Sequence, residues 1–172
     1  RRGFEVEAAD RSQLAIARAR EVIASPDHPV TFREDDPLGS KAQHGAYDAL
    51  VCASALLPHL PAAGRQVKAL RQMAALLRPG GRLLFAHPDF AQAMAVETDD
   101  IFTSPRPHTD AAGEWLTFQR RRWSGAPRKR AHRLTLYRAR PDTPVEIHEF
   151  PQYALTLQEV SGHLRKLGLT DI

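Results

Sequence analysis

The residues able to do chemistry in this chain stand mostly where short apolar runs end. Asp10 closes a run in which Phe4, Val6 and Ala8 alternate with glutamates. A carboxylate at such a strand tip can accept hydrogen bonds from both hydroxyls of a ribose, and it can equally well start the helix that follows. Arg11 stands beside it. Asp35 and Asp36 follow the next apolar run, where a carboxylate can accept from the exocyclic amine of adenine or serve a solvated turn. Cys52-Ala53-Ser54 ends a third run and His87-Pro88-Asp89 a fourth. The eight histidines include no His-x-x-x-His pair and no neighbouring cysteine partner, so no metal site is expected. No Gly-x-Ser-x-Gly elbow is present.

These residues need elements to hold them. Residues 4–10 read as a strand and 12–24 as a helix rich in Ala, Arg and Glu, stopped by Ser25-Pro26. Residues 30–32 form the next strand, 39–45 a turn, and 47–53 a near-continuous apolar strand of the kind buried on both faces of a parallel sheet. The clearest helix spans 61–77, with Val67, Leu70, Ala74 and Leu77 on one face. Arg78-Pro79-Gly80-Gly81 ends it and 82–86 is the following strand. This order predicts an α/β, Rossmann-like, doubly wound and mostly parallel sheet. In such sheets ligands bind beyond the carboxyl ends of the strands, which is where the four segments above lie.

After His87 the texture changes. Residues 99–113 hold two prolines and little periodicity and read as a loop. Residues 115–123, 132–140 and 145–150 alternate polar and apolar side chains, a late antiparallel excursion with turns at Gly125-Ala126-Pro127 and Pro141-Asp142. Thr156 and Glu159 form a capping box that opens a helix through Leu167, closed by Gly168, and 169–172 reads as the start of another strand. The organisation is thus one partial domain, 1–172: an α/β cofactor part over 1–90, a loop and antiparallel substrate-side part over 91–155, and a final helix over 156–172.

The 172 residues are 42% hydrophobic and 26% charged, enough for one globular core. No apolar stretch is long enough to span a bilayer. The single cysteine, Cys52, reads as core and fits a reducing, cytoplasmic location. A net charge of +4 hides a segregation: residues 120–140 hold eight arginines, one lysine and no acid, which leaves 15 basic against 20 acidic residues elsewhere.

The chain resembles a known family. Phe4-Glu5-Val6-Glu7-Ala8-Ala9-Asp10-Arg11-Ser12, with Leu14 and Ala17-Arg18, looks like the second strand and helix of class I S-adenosylmethionine-dependent methyltransferases. Tyr47-Asp48-Ala49-Leu50-Val51-Cys52 looks like their fourth strand. Leu76-Leu77-Arg78-Pro79-Gly80-Gly81-Arg82-Leu83-Leu84 is similar to the turn before their fifth. The resemblance implies S-adenosylmethionine as cofactor, with Asp10, Arg11, Asp35, Asp36, Cys52, Ala53 and His59 around it. Leu57-Pro58-His59-Leu60 is similar to a motif of glycine N-methyltransferases, in which the histidine lies close to the cofactor. Their asparagine after the fourth strand falls on Ala55 here, and the arginine that grips the glycine carboxylate falls on Pro88, so glycine is not the expected acceptor. The glycine-rich loop and first strand of the family have no counterpart. The resemblance implies that they stand within about 40 residues upstream, and without them cofactor should bind poorly.

The expected activity is methyl transfer to a nitrogen or oxygen nucleophile of a small molecule. His59 and His87 are its candidate proton acceptors, and residues 99–123 a lid that brings Trp115, Phe118 and Arg120 onto a partly anionic acceptor. Two alternatives stand beside it. A nicotinamide-dependent oxidoreductase could use Asp10 in the same way. A nucleic-acid binder could use residues 120–140, although strand alternation sends neighbouring arginines to opposite faces.

Overall fold

The structure, a computed structural model, describes residues 3–23, 30–36, 38–39, 44–52, 56–60, 62–95, 100–124 and 131–172. Strand β1 (Val6–Asp10) pairs in parallel with β2 (Val30–Glu34), and helix α1 (Gln13–Ile23) connects them. Strand β3 (Tyr47–Cys52) pairs in parallel with β4 (Leu77–Phe85) through helix α2 (Ala63–Leu76). A parallel pair cannot be closed by a hairpin, and the helices are the crossovers it requires.

Helix α2 buries Gln66, Ala69, Leu70, Met73 and Leu76. The inward line therefore runs about one residue earlier than the Val67–Leu70–Ala74–Leu77 line that hydropathy suggests. A polar residue accounts for the difference. Gln66 is fully buried, and its amide nitrogen donates to the carbonyls of Leu60 (3.1 Å) and Tyr153 (2.6 Å). Leu77 has already left the helix to begin β4.

Arg78-Pro79-Gly80-Gly81, expected as a plain turn, lies inside β4 as an irregularity. Pairing steps from Tyr47↔Leu77 directly to Ala49↔Arg82. Gly80 takes φ +78°, and a Cβ on Gly81 would lie 2.9 Å from the Arg78 carbonyl oxygen and 3.1 Å from that of Tyr47. Both glycines are thus required, one by backbone sign and the other by space.

Leu50, Cys52, Leu83 and Phe85 pack on a core of Leu57, Leu70, Met73, Leu155, Val160 and Leu164. On the opposite face Val51 and Leu84 are 64% and 67% exposed.

Within the segment 99–113, residues 100–113 are not the loop that their prolines suggest. Following helix α3 (Phe90–Ala95), strands β5 (Asp100–Phe102) and β6 (Arg106–Asp110) both pair antiparallel with β7 (Gly113–Ser124). Pro105 falls between the two strands. Pro107 sits in β6, which pairs on one side only, where the missing N–H breaks no ladder bond. β7 continues to β8 (Ala131–Ala139) and β9 (Glu146–Tyr153) as the expected antiparallel sheet. Asp142 makes its turn at φ +57°. The turn expected at residues 125–127 lies outside the described residues.

Helix α4 (Leu157–Lys166) opens on the expected capping box, Thr156 Oγ1 accepting from the Glu159 amide and Glu159 accepting in return from the Thr156 amide. Residues 169–172 form no strand, since beyond Gly168 (φ +87°) no described edge pairs with them. Among the described residues no helix is long and apolar enough to cross a membrane.

Gln66 thus joins the turn after β3 to the end of β9, a contact between elements 87 residues apart. Gln66→Leu keeps the volume but leaves two carbonyls without their donor. Chemical denaturation is expected to show a loss of about 2–3 kcal/mol. A variant as stable as the parent would mean that the two bonds contribute nothing net.

Candidate active site

The tips of β1 and β2 bring Asp10, Asp35 and Asp36 together. The Asp35 amide donates to the Asp10 carbonyl (3.1 Å). Each carboxylate uses one oxygen locally: Asp10 Oδ1 accepts from the Ser12 amide (2.7 Å), Asp35 Oδ1 from the Asp36 amide (2.8 Å) and Asp36 Oδ1 from the Leu38 amide (3.0 Å). Both readings of Asp10 are therefore compatible, since the turn that starts α1 leaves its second oxygen for a ligand. Arg11 is exposed beside it.

The tips of β3 and β4 are tied by the Ala86 amide, which donates to the Cys52 carbonyl (3.0 Å). Cys52 packs on the core, and burial pushes its thiol pKa up, as befits a structural rather than a nucleophilic cysteine. Ala53 lies outside the described residues.

Two histidines meet at this edge with the antiparallel sheet. His59 ends the 3₁₀ turn Leu57–His59. The buried Gln152 places its amide nitrogen 3.3 Å from His59 Nε2, and the Phe150 ring stands edge-on at 5.8 Å. His87 lies within a row of rings: Phe85 at 6.2 Å, Phe90 at 5.5 Å, and Trp123 at 6.2 Å beyond Phe90. Its Nε2 is 2.8 Å from the Leu155 carbonyl. A carbonyl only accepts, so Nε2 carries the hydrogen. In the neutral ring Nδ1 then holds a lone pair, and that nitrogen is buried without a hydrogen-bond partner.

Phe150, Gln152 and Leu155 were not among the sequence candidates. The alternation that marks β9 had been ended at residue 150, although the strand runs to Tyr153 with Gln152 on the inward face. A backbone carbonyl such as that of Leu155 leaves no signature in side-chain pattern at all.

Trp115, Phe118 and Arg120 are not brought together. Paired residues and alternate positions share a face, so Trp115, Arg121 and Trp123 lie on one side of β7 and Phe118 and Arg120 on the other. Trp115 is eight residues from Trp123, about 26 Å along the strand. It stacks on His108 (4.2 Å) beneath the Arg138 guanidinium (4.5 Å), beside a cleft of about 370 Å3 lined by Pro107, Leu116 and Arg140 among others. Phe118 stacks on Tyr137 at 4.5 Å. Arg120 pairs with Asp100, and its guanidinium lies 5.1 Å from the Phe102 ring centre.

The basic segment is likewise matched rather than pooled. Arg122 also faces Asp100 (3.7 Å), Arg133 meets Glu149 (3.3 Å), Arg138 meets Glu146 (3.3 Å) and Arg140 meets Asp110 (2.6 Å). The Arg140 guanidinium lowers the Asp110 carboxyl pKa to about 2. Carboxylates from β5, β6 and β9 thus neutralise much of the charge that a polyanion would require.

Residues 1–81 match the family described as a methyltransferase domain. No curated protein matches the chain. The CcbJ methyltransferase of Streptomyces caelestis is 17% identical with a TM-score of 0.75, over 96% of this chain and 64% of that one. CalS10, a SAM-bound amino pentose methyltransferase from Micromonospora echinaspora, is 17% identical with a TM-score of 0.72, over 95% and 65% of the two chains. An S-adenosylmethionine-dependent methyltransferase from Clostridium acetobutylicum is 12% identical with a TM-score of 0.71, over 95% and 63%. The chain therefore spans a little under two thirds of the length of these structures, and at such identities the likeness is one of fold. The chain shares the α/β fold of these methyltransferase structures, and its residues 1–81, a little under half of it, match the methyltransferase-domain family.

Proposed function

We propose that the protein transfers a methyl group from S-adenosylmethionine to a nitrogen or oxygen nucleophile of a small molecule. The observation that carries the reading is His87: at the tip of β4, an imidazole whose Nε2–H is held by the Leu155 carbonyl and whose Nδ1 is left as an acceptor. The fold and the family match of residues 1–81 support it, as does a structural neighbour described as an amino pentose methyltransferase. A dehydrogenase would use Asp10 equally well, but the family match favours methyl transfer.

The donor set fits the cofactor. The second carboxylate oxygen of Asp10 suits the ribose hydroxyls, and those of Asp35 and Asp36 suit the adenine amine, with Arg11, Cys52 and His59 around them. When bound, the cofactor supplies a methyl group on a sulfonium, which is already a good leaving group. The chain's own residues then have two tasks. Phe90 and Trp123, both buried, form a dry wall at the β4 tip and help to exclude water. His87 Nδ1 accepts the proton that the nucleophile loses on methylation. His59, steadied by Gln152 and Phe150, borders the same edge. Phe118 and Arg120 stiffen the outer face of the sheet in this reading. A single cysteine suits a reducing cytoplasm.

Two measurements test this. Asp10→Asn keeps an oxygen for the Ser12 amide, so the melting temperature should hold while affinity for S-adenosylhomocysteine falls by about 10-fold or more, the two bonds to a charged acceptor being worth on the order of 1.5 kcal/mol each. Asp10→Ala should lower both. Unchanged affinity in both variants would leave Asp10 as a turn residue only.

For His87→Asn the transfer rate is expected to fall about 100-fold. An unchanged rate would remove His87 from the mechanism.

A further inference from the structure

We infer that Arg121 is the anion-binding residue of the acceptor subsite, so that the acceptor carries an oxyanion, a carboxylate or a phosphate, as well as its nucleophile. The subsite's role rests on the methyl-transfer reading; the anion site itself does not. Among the described arginines of β7 and β8, Arg121 stands out by its lack of a counterion. Arg120, Arg122, Arg133, Arg138 and Arg140 in or beside the same sheet each have a carboxylate partner. Arg121 has no ion pair among the described residues, and its Nε is buried with no hydrogen-bond acceptor. A guanidinium with a buried, unsatisfied N–H is costly unless an acceptor arrives, and a planar fork suits an oxyanion best.

Register puts it on the right side of the sheet. Arg121 pairs with Leu134, which pairs with Phe150, so the three form one row across β7, β8 and β9. Phe150 is the residue whose ring meets His59. Arg121 is therefore two strand spacings, about 10 Å, from that contact. It is also two residues from Trp123, whose ring meets Phe90 beside His87. Its neighbours Thr103, Gln119 and Leu134 line with it a hollow of about 40 Å3, room for more than one water. Arg120, expected from sequence to meet the acceptor, is committed to Asp100 on the opposite face.

The test is an NMR titration with sodium acetate and, separately, inorganic phosphate, at ionic strength held constant with sodium chloride. The backbone amides of Thr103, Gln119 and Leu134 report. Saturable shifts with at least one oxyanion are expected in the parent and in Arg122→Gln, and at least about 10-fold weaker binding in Arg121→Gln. Arg121→Lys, which keeps the charge but not the fork, should bind about threefold or more weakly, and it carries the test if the glutamine variant does not fold. Response to phosphate alone identifies a phosphorylated acceptor class, and response to acetate alone a carboxylate. No saturable response in the parent, a parent-like response in Arg121→Gln, or unchanged affinity in Arg121→Lys overturns the inference. S-adenosylhomocysteine binding, measured on the same protein, separates the two readings. Its absence beside an intact anion response defeats the methyltransferase reading but not the anion site, and the converse result defeats only the anion site.

Discussion

The arrangement at the strand tips depends on how an antiparallel sheet is held against the end of a parallel one. Among the described residues the two layers share no ladder, so side chains and isolated carbonyls must join them. Gln66 does this from within the core, donating to the carbonyls that follow His59 and Gln152 in sequence. His87 does it at the edge, donating to Leu155 where β9 passes toward α4. Phe85, His87, Phe90 and Trp123 fill the space between in successive edge-to-face contacts. Each of these links fixes a functional side chain while it fixes the fold. The Leu155 carbonyl that helps to hold the sheet down also determines which nitrogen of His87 bears the proton.

Alternation along β7 sorts the arginines. Arg120 and Arg122 point to the face where Asp100 waits, while Arg121 points to the face shared with Trp123. A run of three arginines therefore reads as one basic patch in sequence and as two different environments in space. Cross-strand carboxylates hold the others in fixed geometry, and salt weakens such exposed pairs. Their part is to keep a highly charged sheet from repelling itself.

Much of the fold was legible because it rests on local signals. Strand β1 ends at Asp10, the capping box of Thr156 and Glu159 opens α4, and Gly80 takes the left-handed turn, each as its residue type demands. What was not legible involves partners distant in the chain. Hydropathy assigns inward positions to apolar residues, so it passes over Gln66, which is buried because two carbonyls need it. Prolines argue against strands, so β5 and β6 were hidden, although a one-sided strand tolerates Pro107. At the site, Asp10 and His87 were visible as residues at run ends, and His59 through the resemblance of Leu57-Pro58-His59-Leu60 to a family motif. Their setting was not, because Gln152, Phe150 and Leu155 reach them from about 70–90 positions away.

The two parallel pairs divide the work between them. The β1–β2 tips carry the carboxylates suited to a nucleoside, and the β3–β4 tips carry His87 and face the sheet. Among the described residues no ladder bond joins the pairs. A polar contact spans them instead: the Tyr47 hydroxyl donates to Glu7 (2.8 Å), which also meets Arg33 (2.9 Å), and the carboxylate raises the phenol pKa. Packing is concentrated on one side, where Leu50, Cys52, Leu83 and Phe85 lie on α2 and α4 while Val51 and Leu84 face outward. The geometry of His87 is therefore set by the packed side, through Phe85, Phe90 and the link to α4. It owes little to the uncovered face or to the nucleoside tips. An imidazole fixed in this way keeps its tautomer independently of Asp10, so the carboxylate-bearing tips and the His87 tip are set by separate halves of one fold.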